Sequence, residues 1–354
     1  MKEARFYEKL GKNEVQCNAC EWHCKIREGG SGICGVRQNQ DGILNLIVYG
    51  KAADAYPDWI EKKKLAHFMP GEYAFSIGTV GCNFRCDFCL NWKTSQFSKI
   101  VKEKLMQEGR SGELGTTISD YGYDLPPEDV IDFCKKKDLK IVAFTYNEPT
   151  VFVEYALDIA KLAKESGIKC VFVTNGYMSK QVLPELAAGM SAISFDLKSF
   201  SDDFYKRLCG GRLQPVLRNI EYFVKNNVWI EITTLIIPGE NDSDEELRKI
   251  AEFIAGLSKN IPWHISRFSP DYKLQDKAQT SAERLYSAFD IGKKAGLKYI
   301  YFGNLWDSDK TSTLCPNCGK LLIHRDVYNV DIKKDFDLGG KCKSCGEKIA
   351  GVWK

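Results

Sequence analysis

What this sequence lacks narrows it before any motif is read. It has little net charge: fifty lysines and arginines against forty-seven acids leave +3 over 354 residues. The whole chain therefore makes no strong electrostatic claim on nucleic acid or on a membrane surface. It has no long apolar segment and no secretory leader. Cysteine, by contrast, is abundant. Fourteen cysteines would suggest disulfides in a secreted protein, but eleven of them fall into three tight clusters with metal-ligand spacing. With the missing leader, this places the chain in a reducing cytoplasm, with no membrane partner. Cys134, Cys170 and Cys209 stand outside the clusters and are expected to pack as small apolar groups. The length suggests about two domains, and 44% hydrophobic content is enough for a sizeable core.

The middle cluster organises the rest. Gly81-Cys82-Asn83-Phe84-Arg85-Cys86-Asp87-Phe88-Cys89 carries three cysteines in the spacing C-x3-C-x2-C. The apolar run Ala74 to Val80 ahead of it reads as a strand, which puts the cysteines on the loop leaving that strand. Three thiolates this close can hold one cluster, yet a cubane with four iron sites wants four ligands. One iron is left open for a small molecule. The competing reading is a structural zinc site with a distant fourth ligand, but zinc cysteines usually come as C-x2-4-C pairs and want four protein ligands. In this spacing, with Phe88 before the last cysteine, the loop resembles the radical S-adenosylmethionine (SAM) superfamily. That resemblance implies a [4Fe-4S] cluster held by Cys82, Cys86 and Cys89. It implies SAM chelated at the open iron, cleavage of SAM to a 5'-deoxyadenosyl radical, and hydrogen abstraction from a substrate. An electron donor such as ferredoxin or flavodoxin would be a partner. The cofactor carries the hard chemistry and the protein positions it.

The first cluster is Cys17, Cys20, Cys24 and Cys34, in the pattern C-x2-C-x3-C-x9-C. Four thiolates with glycines at 29, 30, 32 and 35 suit a closed site, either zinc or a second iron-sulfur cluster. His23 could replace one of the thiols but is expected to face solvent. Residues 42–55 alternate like a hairpin, and Glu61-Lys62-Lys63-Lys64-Leu65-Ala66-His67-Phe68 follows. With Cys17 to Cys34 and Gly35-Val36-Arg37, this run is similar to the radical SAM component of the AmmeMemoRadiSam system, related to the enzymes that activate pyruvate formate-lyase. There the segment reads Glu-Lys-Lys-Pro-Leu. Lys64 stands where the proline is expected, which removes a fixed backbone angle. His67 is a candidate for the active site or for a supporting role behind it. The resemblance brings Memo-like and AMMECR-like proteins as expected partners.

Residues 97–126 are polar and glycine-bearing, longer than a βα loop needs, and are expected to be disordered or to contact substrate. Beyond them strand and helix alternate regularly. Candidate strands are Lys140 to Thr145, Lys169 to Thr174, Ala192 to Leu197, Trp229 to Ile237, Trp263 to Phe268 and Lys298 to Phe302. Amphipathic stretches lie between them, among them Lys180 to Ala188 and Asp203 to Asn226. Six βα units plus a strand argue for an α/β fold, a partial (β/α)6 TIM-like barrel whose strands end on one ligand-binding face. The polar residues at those ends are Asn147 and Glu148, Thr174 and Asn175, Asp196 and Lys198, and His264. By resemblance, with Phe88, they are the SAM contacts: Glu148 for the amino group, Asp196 and Lys198 for the ribose and carboxylate. The turn from Ile237 to Asp242 would border the adenine.

The third cluster is two C-x2-C-G knuckles, Cys315 with Cys318 and Cys342 with Cys345, and reads as a zinc ribbon holding Zn2+. The expected division is a four-cysteine module at 1–70, a radical SAM core at 71–308 and the ribbon at 309–354. The reading is an enzyme that abstracts hydrogen from a macromolecule, either a protein as glycyl-radical activases do or an RNA gripped by the ribbon. Two alternatives stay open: modification of a small metabolite, and a non-catalytic iron-sulfur electron carrier. No residue announces the substrate, and no general acid or base can be named.

Overall fold

The computed structural model describes residues 1–327 and 329–354. Its centre is one eight-stranded sheet. The strands are β1 (Asp54–Trp59), β2 (Tyr73–Gly78), β3 (Ile141–Phe144), β4 (Lys169–Thr174), β5 (Ala192–Asp196), β6 (Trp229–Ile236), β7 (Trp263–Arg267) and β8 (Ile300–Gly303). They lie side by side in chain order. β2 to β8 are parallel, and β1 runs antiparallel along the outer side of β2. Pro57 lies within β1, where a missing N–H is tolerated because the strand is at the sheet's edge. The inner strands are buried on both sides and so read as unbroken apolar runs, such as Ile141 to Phe144 with every residue buried.

Helices cover the sheet: α1 (Phe97–Gln107), α2 (Pro127–Lys136), α3 (Val153–Glu165), α4 (Leu183–Gly189), α5 (Leu213–Lys225), α6 (Asp244–Leu257) and α7 (Ala282–Lys294). In α3, Val153, Ala156, Leu157 and Ala160 recur at helical spacing and are buried. Ser243 caps α6 and Ser281 caps α7, each accepting a hydrogen bond from the amide three residues on. No described helix is long and apolar enough to cross a membrane.

Three expectations change. Residues 97–126 are ordered, not disordered. Phe97, Val101 and Leu105 recur every fourth residue and pack on the core with Leu114 and Ile118, and Tyr123–Asp124 pairs antiparallel with Lys51–Ala52. The hairpin expected at 42–55 starts earlier: Arg37–Gln40 pairs with Ile43–Leu46 through Asp41 and Gly42, both at positive φ. Asp54 and Ala55 belong instead to β1 of the main sheet. The long stretch from Asp203 to Asn226 breaks at Gly210 and Gly211. A Cβ on Gly211 would lie 2.4 Å from a ring carbon of Phe84, so the cysteine loop can pack there only against glycine.

The C-terminal module is a small three-stranded sheet, Thr313–Leu314, Leu321–Asp326 and Asn329–Ile332. Its Leu322, Ile323, Phe336 and Ile349 share a core with Ala66, Tyr299 and Tyr301 of the body. The chain end docks on the segment after β1, Met69 N–H donating to Val352 and Val352 N–H to His67.

Candidate active site and metal centres

Parallel strands with crossover helices put all their C-terminal ends on one face, and here β2 to β8 end on one cavity of about 780 Å³. Phe88, Asn147, Glu148, Thr174, Asn175, Asp196, Lys198 and His264 all line it, and so do Cys82, Cys86 and Cys89. Residues 56 and 58 of β1 and 303 at the end of β8 line it as well, so the sheet curls until its two edges face one space.

The cysteine loop leaves β2 at Gly78 and is braced from two sides. Asn147 holds it from the turn after β3: its Nδ2 donates to the Gly81 carbonyl at 2.7 Å and its Oδ1 accepts from Thr79 N–H at 3.1 Å. From the other side, Arg85 and Asp87 amides donate to the carbonyls of Cys209 and Leu208. Cys209, expected to be one more apolar filler, has its thiol beside that of Cys86. That contact and burial push the Cys86 thiol well above its usual range, and burial raises those of Cys82 and Cys89 as well. Thiols raised in this way become thiolates only with a metal beside them.

Glu148 is buried and heavily bonded. One oxygen accepts from Thr150 N–H at 3.0 Å, the Thr150 hydroxyl at 2.5 Å and the Thr174 hydroxyl at 2.7 Å; the other accepts from Asn175 N–H at 2.7 Å. Burial nonetheless holds its carboxyl above the ordinary value. Asn175 Nδ2 donates to Asn83, tying the end of β4 to the cysteine loop. Asp196 and Lys198, two apart at the end of β5, point to one face and pair at 2.9 Å. Burial disfavours the Lys198 cation, but Asp196 and the thiols of Cys86 and Cys209 more than offset this and raise its pKa.

His264 lines the cavity with its Nε2 held 2.7 Å from Glu231, and burial lowers its pKa. Glu231 is fully buried in β6. It accepts four hydrogen bonds: from the amides of Ala66 and His67, from Trp229 Nε1 and from His264. Burial alone would raise its pKa, but the hydrogen bond and charge of His264 hold it below the ordinary value. His67 does not line the cavity. Its Nδ1 is 2.6 Å from the Ala350 carbonyl and its Nε2 is 2.6 Å from the Tyr301 hydroxyl, so it fastens the C-terminal module to the body. The turn after β6 closes on itself through Asn241, whose amide donates to Lys198 and Leu235 carbonyls; of residues 235–242 only Leu235 lines the cavity.

Lys64 lines the same cavity; its N–H donates to the Glu61 carbonyl, while its amine has no hydrogen bond to a described residue. Its φ of 54° is left-handed, a value that proline's ring forbids, so this segment is built differently from a proline-bearing one. Burial lowers its pKa to about 8, with Asp196 opposing. The amine approaches because Gly303 has no side chain: a Cβ there would lie 3.0 Å from Lys64 Nζ and 2.2 Å from Ser266 Oγ.

Does this space suit a polar cofactor? Thr233 Oγ1 and Ser266 Oγ line the cavity, buried and without a hydrogen-bond partner, and such groups call for an outside partner. An acid-base pair, unpartnered hydroxyls and the Phe88 ring suit a molecule with an amino acid end, a ribose and a base. The residues present fit SAM.

The four C-terminal cysteines converge. Their sulfurs all lie within 4.8 Å of one another, with 3.5 Å between Cys315 and Cys345 and 3.7 Å between Cys318 and Cys342. Cys17, Cys20, Cys24 and Cys34 line a small pocket against Arg37 and Val151. His23 stays outside it, bonded to Asn18 and partly exposed.

Sequence reasoning missed Glu231 and the contact of Cys209 with Cys86. The acid did leave a signal, a lone charge within the otherwise apolar and hydroxylic run Trp229 to Ile236, which demands buried partners.

The sequence profile described as the Radical SAM superfamily matches residues 76–254, half of the chain. The uncharacterized protein MJ0808 of Methanocaldococcus jannaschii is 39% identical over 352 residues, 99% of each chain. The pyruvate formate-lyase 1-activating enzyme of Escherichia coli (strain K12) is 25% identical over 194 residues, 52% of this chain and 71% of that one. A solved domain of a pyruvate-formate lyase-activating enzyme from Bacteroides vulgatus is 24% identical with a TM-score of 0.41, covering 46% of this chain and 98% of that one. The matched span opens inside β2, takes in the three-cysteine loop and runs on into α6, and on that profile the chain belongs to the Radical SAM superfamily.

Proposed function

We propose that this chain cleaves SAM reductively at a [4Fe-4S] cluster held by Cys82, Cys86 and Cys89, and removes a hydrogen atom from a polypeptide segment presented at the cavity mouth. The observation that carries the first half is the three-thiol loop opening into a cavity with unpartnered hydroxyls and an acid-base pair. When bound, cluster and cofactor supply the electron and the radical chemistry; this chain's residues bind, orient and exclude water. Asp196 and Lys198 offer one anion and one cation to the ribose and the carboxylate. The carboxylate of Glu148 faces the amino group, and Thr233 and Ser266 take the remaining polar edges. Asn147 positions the loop that carries the cysteines. The curled sheet reads as an incomplete barrel.

The substrate class rests on the rim. Tyr56, Leu90, Trp306 and Val327 line the cavity and are each about half exposed. An apolar rim of this kind suits a peptide rather than a phosphate backbone. Within the C-terminal module Lys320 pairs with Asp335 and Lys333 with Asp331, and Arg325 pairs with Glu61 of the body, which reduces the charge left for an RNA grip. Its four converging thiols suit a structural Zn2+. A ferredoxin or flavodoxin in a cytoplasmic setting would supply electrons, and Memo-like and AMMECR-like proteins are partners to test by co-purification. Lys64 supports a second reading, an anionic small metabolite bound beside SAM.

The test is anaerobic reconstitution with iron and sulfide, reduction with dithionite, and assay of 5'-deoxyadenosine and methionine. The wild type should form both and Cys86→Ala neither. Adding size-fractionated deuterated cell extract then reads the substrate. Label entering 5'-deoxyadenosine from the protein fraction supports the peptide reading, label from the metabolite fraction supports the second, and label from RNA alone overturns both.

A further inference from the structure

We infer that Cys17, Cys20, Cys24 and Cys34 hold a second [4Fe-4S] cluster, not a zinc ion, and that it passes an electron to the cluster at Cys82, Cys86 and Cys89. The first half of the argument is spacing. Four thiolates around one ion at about 2.3 Å must sit about 3.8 Å apart, and the ribbon sulfurs do, at 3.5 and 3.7 Å. In a cubane each thiolate binds a different iron, so the sulfurs stand at the corners of a larger tetrahedron. Among the described residues the ribbon is the one group of three or more ligands gathered within 4.8 Å. The N-terminal four instead stand around a pocket. The radical SAM loop is likewise not gathered within 4.8 Å, so it and the N-terminal four both fall outside the single-ion spacing that the ribbon shows.

The surroundings agree. Gly32 lies between two of the sulfurs, where a Cβ would sit 3.8 Å from both Cys24 Sγ and Cys34 Sγ. The remaining walls are mostly apolar, from Ala19, Ile33 and Val151. Arg37 lines the pocket and is neutralised behind it by Glu154, at 2.9 and 2.5 Å. An all-thiolate site with mostly apolar walls suits an iron-sulfur cluster.

The second half is position. A Cβ on Gly81, the residue before Cys82, would meet the Cys34 carbonyl at 2.9 Å. Ser98 donates to that same carbonyl at 2.6 Å, and Trp22 Nε1 donates to the Asn83 carbonyl at 2.9 Å. The two cysteine groups therefore share one wall. In the relay, a low-potential donor of the flavodoxin or ferredoxin class loses one electron and the N-terminal cluster gains it. That cluster is reoxidised as the SAM-side cluster is reduced, and no bond is made or broken. The relay rests on the radical SAM reading of the Cys82 loop; the cluster assignment does not.

The experiment separates them. The variant Cys82→Ala/Cys86→Ala/Cys89→Ala, purified and reconstituted anaerobically, should retain about four iron and four sulfide per chain with the signal of a reducible cubane, half the iron of the wild type. Zinc in place of that iron overturns the assignment. Should that variant fold poorly, Cys20→Ser/Cys24→Ser in the intact chain should likewise lose half the iron and gain no zinc; unchanged iron overturns it. In the fully reduced wild type the two clusters should broaden each other's electron paramagnetic resonance spectra, and Cys20→Ser/Cys24→Ser should lose that broadening. Two clusters with independent spectra would overturn the relay alone.

Discussion

Acid should loosen the C-terminal module from the sheet, and His67 should be the residue that reports it. A carbonyl oxygen only accepts, so the 2.6 Å contact with Ala350 places the proton on Nδ1 and leaves Nε2 to accept from Tyr301. A second proton would be wedged against the Tyr301 hydroxyl in a fully buried place. Burial lowers the pKa to about 4, with the charge of Glu231 pulling the other way. An unfolded histidine binds its proton near 6.5. Stability is therefore complete above that value, falls as pH drops through the window to about 4, and then levels off. At 1.36 kcal/mol per pH unit the loss attributable to His67 is about 3 kcal/mol. His264, also lowered by burial, adds in the same direction. The assay is urea unfolding followed by tryptophan fluorescence, since the Trp353 ring lies 5.0 Å from His67. It compares wild type with His67→Gln, which keeps a donor and an acceptor but does not titrate. The wild type should lose more stability between about pH 7 and about pH 5 than the variant does. Parallel curves would refute the argument, because they would mean that His67 binds its proton equally in both states.

The other expectations follow the same logic. Glu154→Leu should cost about 3–5 kcal/mol, because it strands the buried Arg37 cation without its partner; denaturant midpoints measure it, and an unchanged midpoint would mean that solvent reaches Arg37. Gly211→Ala should cost about 1–3 kcal/mol by forcing a methyl into Phe84, and should lower iron content; denaturant midpoints and iron analysis after reconstitution check the two. Lys64 carries its charge below about pH 8, so substrate-dependent 5'-deoxyadenosine formation should fall as pH rises through that value. Lys64→Met should be slower below it and should lack that alkaline limb, and a limb that survives in the variant belongs to another group.

How much of this was legible depended on whether a residue's neighbours lie near it in sequence. The parallel strands were, because burial on both faces writes itself as a continuous run such as Val171 to Val173, and the polar residues that follow each run fall at the cavity by topology alone. The gathering of Asn147, Asp196 and Lys198 around one space needed only that rule. Residues 97–126 were misread because solvent-facing charge outnumbers the anchors, although Phe97, Val101 and Leu105 keep a helical period that marks a buried face. Glu231 and His67 were opaque for a different reason. Glu231 takes hydrogen bonds from residues 165 positions away, and His67 bonds to Ala350 across 283. No local pattern encodes such a pairing.

That distance matters for how the site is held. Glu231 joins the segment carrying Lys64, through the amides of Ala66 and His67, to His264 on the cavity wall, and His67 carries the connection on to the C-terminal module. A buried carboxylate with four donors has one low-energy arrangement, since losing any donor leaves a buried polar group unpaired. The position of Lys64 beside Asp196 is thus tied to the docking of the C-terminal module by a chain of hydrogen bonds. Stripping the metal from Cys315, Cys318, Cys342 and Cys345 should for that reason displace Lys64 as well as unfold the knuckles. A stripped protein with an unchanged alkaline limb in its pH profile would show that the network holds without the metal.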